Sequence, residues 1–339
     1  MTNLRAKVLI TEPKYADHVA TVASDFPDLE LICATEDAIA GVSTVDDVQG
    51  LLVLAGKVDS RLLDALPGLR AVVKNGRNYQ NVDVEAVRAR GLTLACVPRK
   101  GPNCVAELAM TLVLALSKDL AVSHAGVIDG AYRYRGMTPE LTAERKFAFH
   151  WMRNVNVREV TDATLGIIGM GEIGCELARR AEVMGMRILY HKRTPFSPEL
   201  ERRFSAHYRE LDALLAESDY VCIALPHTPE SDKLIDAAAL AKMKPGACLV
   251  NIARGGIVDE EALIAALASG QLRGAGLDVF AYEPLPADSP ICDLNNVILT
   301  PHIGGGSGTT WADELRKALT EVQRVLNGEA PQIDVSVPA

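Results

Sequence analysis

At 339 residues the chain exceeds the usual size of one domain, so two domains with separate cores are expected. An apolar content of 48% with 23% charged residues describes a globular chain with ample core material and excludes disordered or fibrous classes. The formal charge of −9, from 35 basic and 44 acidic side chains, comes without any Lys/Arg run, which argues against nucleic acid or an anionic membrane surface as partner.

The N-terminus leads directly into a strand-like run at 8–11 with no apolar signal region, and no stretch approaches about 18 uninterrupted apolar residues. A cytoplasmic location without a membrane span is expected. Further apolar runs at 29–34, 51–55, 69–74 and 92–97 predict strands, separated by helical patterns such as 82–90. They make a parallel α/β domain without a glycine fingerprint. Two of its loops stand out, Gly76-Arg-Asn-Tyr-Gln-Asn-Val-Asp83 and Pro98-Arg-Lys-Gly-Pro-Asn103, because ligands of open α/β sheets lie at the carboxyl ends of strands. The second leads into a helix over 104–116 that is apolar nearly all round, a pattern of burial between layers or domains. Glu107 on it reads as a paired structural carboxylate.

Over 123–162 the pattern is irregular, with Tyr132, Tyr134, Phe147, Phe149 and Trp151 among charges. Such aromatics need burial, so an arm packed on a partner subunit is expected, with a covering loop as the alternative. At 164 the chain changes character. A β-favouring run over 164–168 breaks at Gly169, and from Glu172 to Met184 apolar residues return at helical spacing. Gly169, Gly171 and Gly174 then form G-x-G-x-x-G between strand and helix. The first glycine turns the chain, the second lets backbone approach a pyrophosphate, and the third lets the helix pack on the strand. The start of that helix offers unpaired N–H groups and a positive dipole end to phosphates.

Strands at 187–190, 220–225, 248–252, 274–279 and 297–300 follow, alternating with helices around 208–216, 236–243 and 260–269. With 164–168 they give six strands and a doubly wound nucleotide domain. The last helix, 310–326, has no strand after it and is expected to fold back on the first domain. Seven cysteines, at 33, 96, 104, 175, 222, 248 and 292, are scattered without C-x-x-C pairs. Neither a disulfide framework nor a metal site is expected, and they read as small buried hydrophobes in a reducing compartment.

Strand ends in the second half carry the remaining polar signals. Arg254, in Asn251-Ile-Ala-Arg-Gly-Gly-Ile-Val-Asp259, stands at a strand-to-helix turn suited to gripping a carboxylate with a two-pronged fork, though alone it could equally be a surface arginine. Asp278 and Glu283 close the next strand, and His302 closes the last. An arginine, a carboxylate and a histidine at the carboxyl ends of one sheet converge on one cleft, the constellation a carbonyl reduction needs.

These residues belong to seven motifs in fixed order: GRNYQNVD, CVAE, TLGIIGMGEIG, LPHTPES, MKPGACLVNIARGGIVDEEAL, GAGLDVFAYEP and NVILTPHIGG. Through them the chain resembles the D-isomer-specific 2-hydroxyacid dehydrogenases over about 51–327, in particular members of the glyoxylate/hydroxypyruvate reductase or phosphoglycerate dehydrogenase type. The resemblance implies a doubly wound Rossmann nucleotide domain, 105–304, inserted into a flavodoxin-like α/β substrate domain, 1–104 and 305–339. It further implies a homodimer built largely through the nucleotide domains. It implies that Arg254 binds substrate, that Glu283 partners the histidine, that His302 is the general acid/base and that Asp278 contacts the nicotinamide carboxamide. Glu172 and Ile173 beside the glycines, Pro226 and Thr228 of LPHTPES, Ala253 and Gly304 are assigned with Asp278 to the cofactor. The implied reaction is reversible hydride transfer between nicotinamide C4 and C2 of a small 2-oxo or 2-hydroxy acid. The alternative from another class is a dinucleotide-sensing transcriptional co-repressor of the same fold. A formate dehydrogenase is disfavoured because that branch lacks the glutamate found at 283.

Two readings concern specificity. Family members commonly carry a Gly-Val-Gly type loop whose N–H groups hold the substrate carboxylate, and Gly76-Arg77-Asn78 stands here in its place. Asparagine tolerates the left-handed conformation, so the loop path is expected to survive, with Arg77 and Asn78 assigned to substrate. Arg77, with Lys57, Arg99 and Lys100 on nearby loops, raises a substrate with a second acidic group, against the plainer reading that all four face solvent. For the cofactor, NAD-binding folds place an Asp or Glu about 20 residues beyond the glycines, where it accepts both ribose hydroxyls. Tyr190-His-Lys-Arg-Thr194 occupies that place, and no acid precedes Glu199. His191, Lys192 and Arg193 there favour NADP(H) over NAD(H), a guanidinium being able to fork onto a 2′-phosphate.

Overall fold

The computed structural model describes residues 5–35, 47–139, 151–306, 308 and 310–336. The chain divides into two compact units: unit 1 comprises Met1–Asn103, Phe196–Arg203 and Gly306–Ala339, and unit 2 comprises Cys104–Pro195 and Phe204–Gly305. Among the described residues no helix is long and apolar enough to cross a membrane.

Unit 1 is built on five parallel strands, β1 (Ala6–Thr11), β2 (Leu29–Ala34), β3 (Val48–Val53), β4 (Ala71–Asn75) and β5 (Thr93–Val97), in the order β2-β1-β3-β4-β5. This is the flavodoxin-like order. The inner strands are mostly buried rather than alternating, because both faces of a parallel sheet are covered; β4 is buried at every position, Lys74 included. The C-terminal helix Trp311–Leu326 folds back on this sheet, where Leu315, Ala318, Leu319 and Val322 share one core with Val8, Ile10, Leu52, Ala71 and Val73. A capping box between Thr310 and Asp313 starts it. The segment Phe196–Arg203, which the sequence reading left within the nucleotide domain, groups with unit 1. There Glu199 accepts from both Arg88 Nη1 (3.3 Å) and Arg88 Nη2 (3.1 Å).

Unit 2 holds seven parallel strands, β6 (Thr164–Ile168), β7 (Arg187–His191), β8 (Ala206–Tyr208), β9 (Tyr220–Ile223), β10 (Ala247–Asn251), β11 (Leu272–Leu277) and β12 (Val297–Leu299). Their order is β12-β11-β10-β9-β6-β7-β8, so the direction of winding reverses between β6 and β9, the point where ligands of such sheets bind. The sequence reading counted six strands. The additional one, β8, covers residues taken in part for the start of a helix; the helix begins only at Leu211, because 206–208 are drawn into pairing with Ile188–Tyr190. Three residues show no periodicity of their own, and the sheet edge decides their state. The core of this unit gathers Ile168, Leu189, Val221, Ile223, Leu249 and Leu277 around the sheet.

The helix Lys100–Ser117 buries Ala106, Ala109, Met110, Leu112 and Val113, and Glu107 on its exposed side pairs with Arg180 at 3.0 Å, as a structural carboxylate would. The stretch 123–162 is less irregular than its sequence: Leu120–Ile128 is a helix and Ala131–Arg135 a 3₁₀ turn. Tyr132 and Trp151 meet edge to face at 6.4 Å, whereas Phe147 and Phe149 lie outside the described residues. Cys96, Cys175, Cys222 and Cys248 are buried as expected, but Cys292 is exposed.

Candidate active site

The glycine turn is the best-defined part of unit 2. Gly169 follows β6 with φ 101°, a left-handed conformation, and a Cβ there would lie 2.7 Å from the backbone of Ala224 and Leu225 at the end of β9. Only glycine serves at that point. A Cβ on Gly174 would collide with the Gly169 carbonyl, which fixes how closely the helix Glu172–Val183 approaches the turn. Nothing stands within 4 Å of the Cβ direction at Gly171, and no side chain caps this helix. The space beside Gly171 is thus open at the start of a helix, the arrangement that receives a pyrophosphate. A cavity of about 610 Å³ begins there, bounded by Ile173, Ala224, Leu225, Pro226, His227, Ile252, Ala253 and Arg254. It runs from the helix start to the arginine. The residues present thus fit a dinucleotide.

Of the assigned cofactor residues, Ile173, Pro226 and Ala253 line this cavity. Thr228 is turned into its own loop, where its N–H donates to Ser231 Oγ at 2.8 Å. The three basic residues after β7 behave differently from one another. His191 Nδ1 lies 3.0 Å from the Arg209 carbonyl, and its ring stacks on Tyr208. Lys192 Nζ reaches the Met170 carbonyl in the glycine turn at 3.4 Å, and its burial lowers the ammonium pKa. Arg193 is exposed. The carboxyl of Glu230 nearby is held below its usual range by the Thr228 hydroxyl, its own N–H and the field of Arg193.

At the carboxyl end of β10, Asn251 clamps the following turn: its Nδ2 donates to the Arg254 carbonyl at 2.9 Å and its Oδ1 accepts from Ala253 N at 3.1 Å. Gly255 packs so tightly on the loop after β11 that a Cβ would overlap the Phe280 carbonyl. The seam brings the side chain of Arg254, itself donating to the Ala253 carbonyl at 2.5 Å, into the electrostatic reach of Glu283. Glu283 accepts from Phe280 N at 3.1 Å through Oε1 and lies 2.6 Å from His302 Nδ1 through Oε2. Partial burial pushes its carboxyl up, but the His302 contact, the Phe280 N–H and the charge of Arg254 outweigh burial and hold it below the ordinary carboxylate range. With Nδ1 directed at the glutamate, Nε2 of His302 is the ring nitrogen presented to a reactant.

Asp278 proves to be the anchor of the histidine loop. It is 1% exposed, and its carboxylate accepts from Thr300 Oγ1 (2.6 Å), Ile303 N (2.9 Å) and Gly304 N (2.9 Å). His302 sits within that clasp at φ 55°, a left-handed conformation uncommon for residues other than glycine, though histidine adopts it more readily than most. Neither the Asn251 clamp nor the Asp278 clasp was read from the sequence. Both are polar residues closing buried strands, which is the signal that could have found them.

In unit 1 the loop after β4 turns at Gly76 (φ 122°), whose N–H donates to the Val97 carbonyl at 2.7 Å. The left-handed step therefore falls on glycine. Asn78, expected to use that conformation, instead accepts from Gln80 N at 3.2 Å through its side chain. Buried Lys74 donates to the Asn75 carbonyl at 2.8 Å just before the turn. Tyr79 after it donates to Glu199 at 3.3 Å, and burial pushes its phenol pKa up to about 12. Among the described residues no cluster of His, Cys, Asp and Glu could hold a metal ion.

Comparison with known proteins gives a consistent result. Residues 111–304 match the family model for the D-isomer specific 2-hydroxyacid dehydrogenase, NAD binding domain. The chain is 38% identical over 339 residues to the glyoxylate/hydroxypyruvate reductase B of Cronobacter sakazakii, covering 97% of each chain. Among solved structures it is similar to the apo form of Rhodotorula graminis D-mandelate dehydrogenase, with 26% identity, 99% of each chain covered and a TM-score of 0.58. It is likewise similar to a glyoxylate reductase from Paecilomyes thermophila, with 28% identity, 98% of each chain covered and a TM-score of 0.53.

Proposed function

Because this chain belongs to the D-isomer-specific 2-hydroxyacid dehydrogenase family and is an NAD(P)-dependent oxidoreductase acting on 2-hydroxy acids, we propose that it works chiefly as a reductase of small 2-oxo acids. Glyoxylate and hydroxypyruvate are the first substrates to try. The observation carrying this reading is the Arg254, Glu283 and His302 group beside a cavity that ends at the glycine turn of the same sheet. A nicotinamide, when bound, supplies or accepts the hydride at its C4. Everything else falls to the chain. Arg254 holds the substrate carboxylate and polarises the carbonyl, and the N–H groups of Arg77 and Asn78 bind the same carboxylate. His302 passes a proton from Nε2 to the carbonyl oxygen as it becomes a hydroxyl, and Glu283 steadies the positive imidazole. Asp278 acts through the loop it holds. A co-repressor or formate dehydrogenase reading is not favoured by the relatives. Purified protein with NADPH or NADH and glyoxylate should oxidise the cofactor, and failure with every 2-oxo acid tried would remove the reading.

Three finer points belong to the same proposal. NADPH is preferred over NADH, with Lys192 and Arg193 meeting the 2′-phosphate; the first acid after them, Glu199, is already held by Arg88. The dinucleotide site, Arg254, Glu283 and His302 all belong to unit 2, and unit 1 contributes the Arg77 and Asn78 loop to substrate binding. The enzyme is a cytoplasmic homodimer: the helix Leu120–Ile128 buries no side chain, and Val127 and Ile128 are 59% and 70% exposed. Apolar surface of that kind marks an interface. An Ile128→Glu variant should run as a smaller species in light scattering, and a wild type that is already monomeric would refute the dimer.

A further inference from the structure

We propose that the natural 2-oxo acid carries a second anionic group, a carboxylate or phosphoryl group, and that Arg77 together with Arg99 receives it. The proposal rests on the reading that the Gly76–Asn78 loop binds substrate. Asn75 and Val97 are partners in the parallel ladder of β4 and β5, and the Gly76 N–H to Val97 carbonyl bond continues that pairing past the strand ends. Arg77 and Arg99 each stand two residues beyond the paired positions. Two guanidinium side chains are therefore carried by adjoining loops at the edge where ligands of such sheets bind.

Neither arginine lies out in solvent as most do; both are half-buried. The guanidinium of Arg99 lies over the Trp311 ring at 5.0 Å, and Trp311 packs on Tyr15 at 4.5 Å between ring centres. Stacking of this kind holds the planar fork in place before any ligand arrives. Arg99 Nε is buried and has no hydrogen-bond partner among the described residues. Further charges stand around this corner. Lys100 is exposed, and Lys317 Nζ donates to the Pro98 carbonyl at 2.8 Å. On the acidic side stands Glu314, buried, with one oxygen accepting from Lys100 N at 2.6 Å. Lys57, by contrast, drops out of the group, since its ammonium rests 3.5 Å from Asp59 on its own loop and is largely exposed. A guanidinium stacked on an aromatic ring and half-buried, as that of Arg99 is, gains from meeting an anion there. The carboxylate common to all 2-oxo acids already has Arg254 and backbone N–H donors in the proposed mechanism, so these two guanidiniums are suited to a different group on the same molecule.

Matched substrate pairs test this. Hydroxypyruvate against 3-phosphohydroxypyruvate adds a phosphoryl group, and 2-oxopentanoate against 2-oxoglutarate replaces a methyl by a carboxylate. In wild type the kcat/KM of the member with the second anionic group should exceed that of its monoanionic partner by about tenfold or more in at least one pair, the size expected of a charge-assisted contact. Which pair responds identifies the group. Arg77→Met and Arg99→Met should each bring that ratio towards one, and Arg99→Lys, which keeps charge and packing bulk, should retain part of it. Thermal melts would verify that the variants remain folded. The subsite is refuted if wild type prefers the monoanion in both pairs, or if the variants lower both members of a pair by the same factor. Turnover of no 2-oxo acid of either kind would instead refute the enzyme reading, and the subsite with it.

Discussion

Two loops at the carboxyl edge of one sheet are built in opposite ways. The loop after β12 is fastened to buried Asp278 by three hydrogen bonds and holds His302 in a left-handed conformation, ring nitrogen against Glu283. The loop after β7 has its histidine folded back on Arg209, Lys192 reaching the Met170 carbonyl at 3.4 Å, and an exposed Arg193. A proton donor must meet its acceptor to within a fraction of an ångström, so its support is rigid. A charge that selects a phosphate acts over a longer range and tolerates a loose mount. On the roles proposed for the two loops, chemistry and choice of cofactor have different structural requirements on the same sheet.

Substitutions can break or sharpen that contrast. The largest effect is expected at the rigid loop: His302→Gln should cost at least ~100-fold in kcat for 2-oxo acid reduction. Undiminished turnover would show that the clasp serves some other purpose. Next, Arg254→Lys keeps the charge but loses the fork, and kcat/KM should fall by about 30-fold or more. Wild-type kinetics in that variant would make the arginine structural. On the loose loop, Arg193→Ala should raise the Michaelis constant for NADPH by roughly tenfold, with a much smaller change for NADH. Higher efficiency with NADH in the wild type would overturn the charge argument altogether.

The smallest effect is on how stability varies with pH. Glu283 has a depressed pKa in the folded protein, so what its ionisation contributes to stability is present above the ordinary carboxylate range and fades as pH falls through the depressed value. Throughout the neutral range it is an anion against the imidazole. Glu283→Gln removes that ionisation, so the melting temperature of the variant should fall less than that of wild type as pH is lowered through the carboxylate range. Equal losses in both proteins would mean that Glu283 gains nothing from its partners by ionising.

Much of this site was legible in the sequence, for a physical reason. Three glycines between a strand and a helix, or Arg254, Glu283 and His302 at strand ends, carry their chemistry in residue type and spacing. Asp278 was picked out too, but its hydrogen bonds run to Thr300, Ile303 and Gly304, more than twenty positions away, and no local pattern encodes them. The six long strands announced themselves by apolar runs, whereas β8 exists because β7 offers it an edge. Asn78 was credited with a backbone conformation that Gly76, two residues earlier, supplies. Pairing and loop path are decided by neighbours in space, which composition does not name.

The left-handed backbone at His302 also constrains how this position can drift. Valine, isoleucine or threonine there would strain the loop whatever their effect on the reaction, while asparagine and glycine enter that conformation readily. A descendant that has lost the chemistry but kept the fold is thus expected to show asparagine or glycine at 302. For the same reason His302→Asn is the gentlest way to silence the enzyme, and its melting temperature should stay nearer to wild type than that of His302→Val.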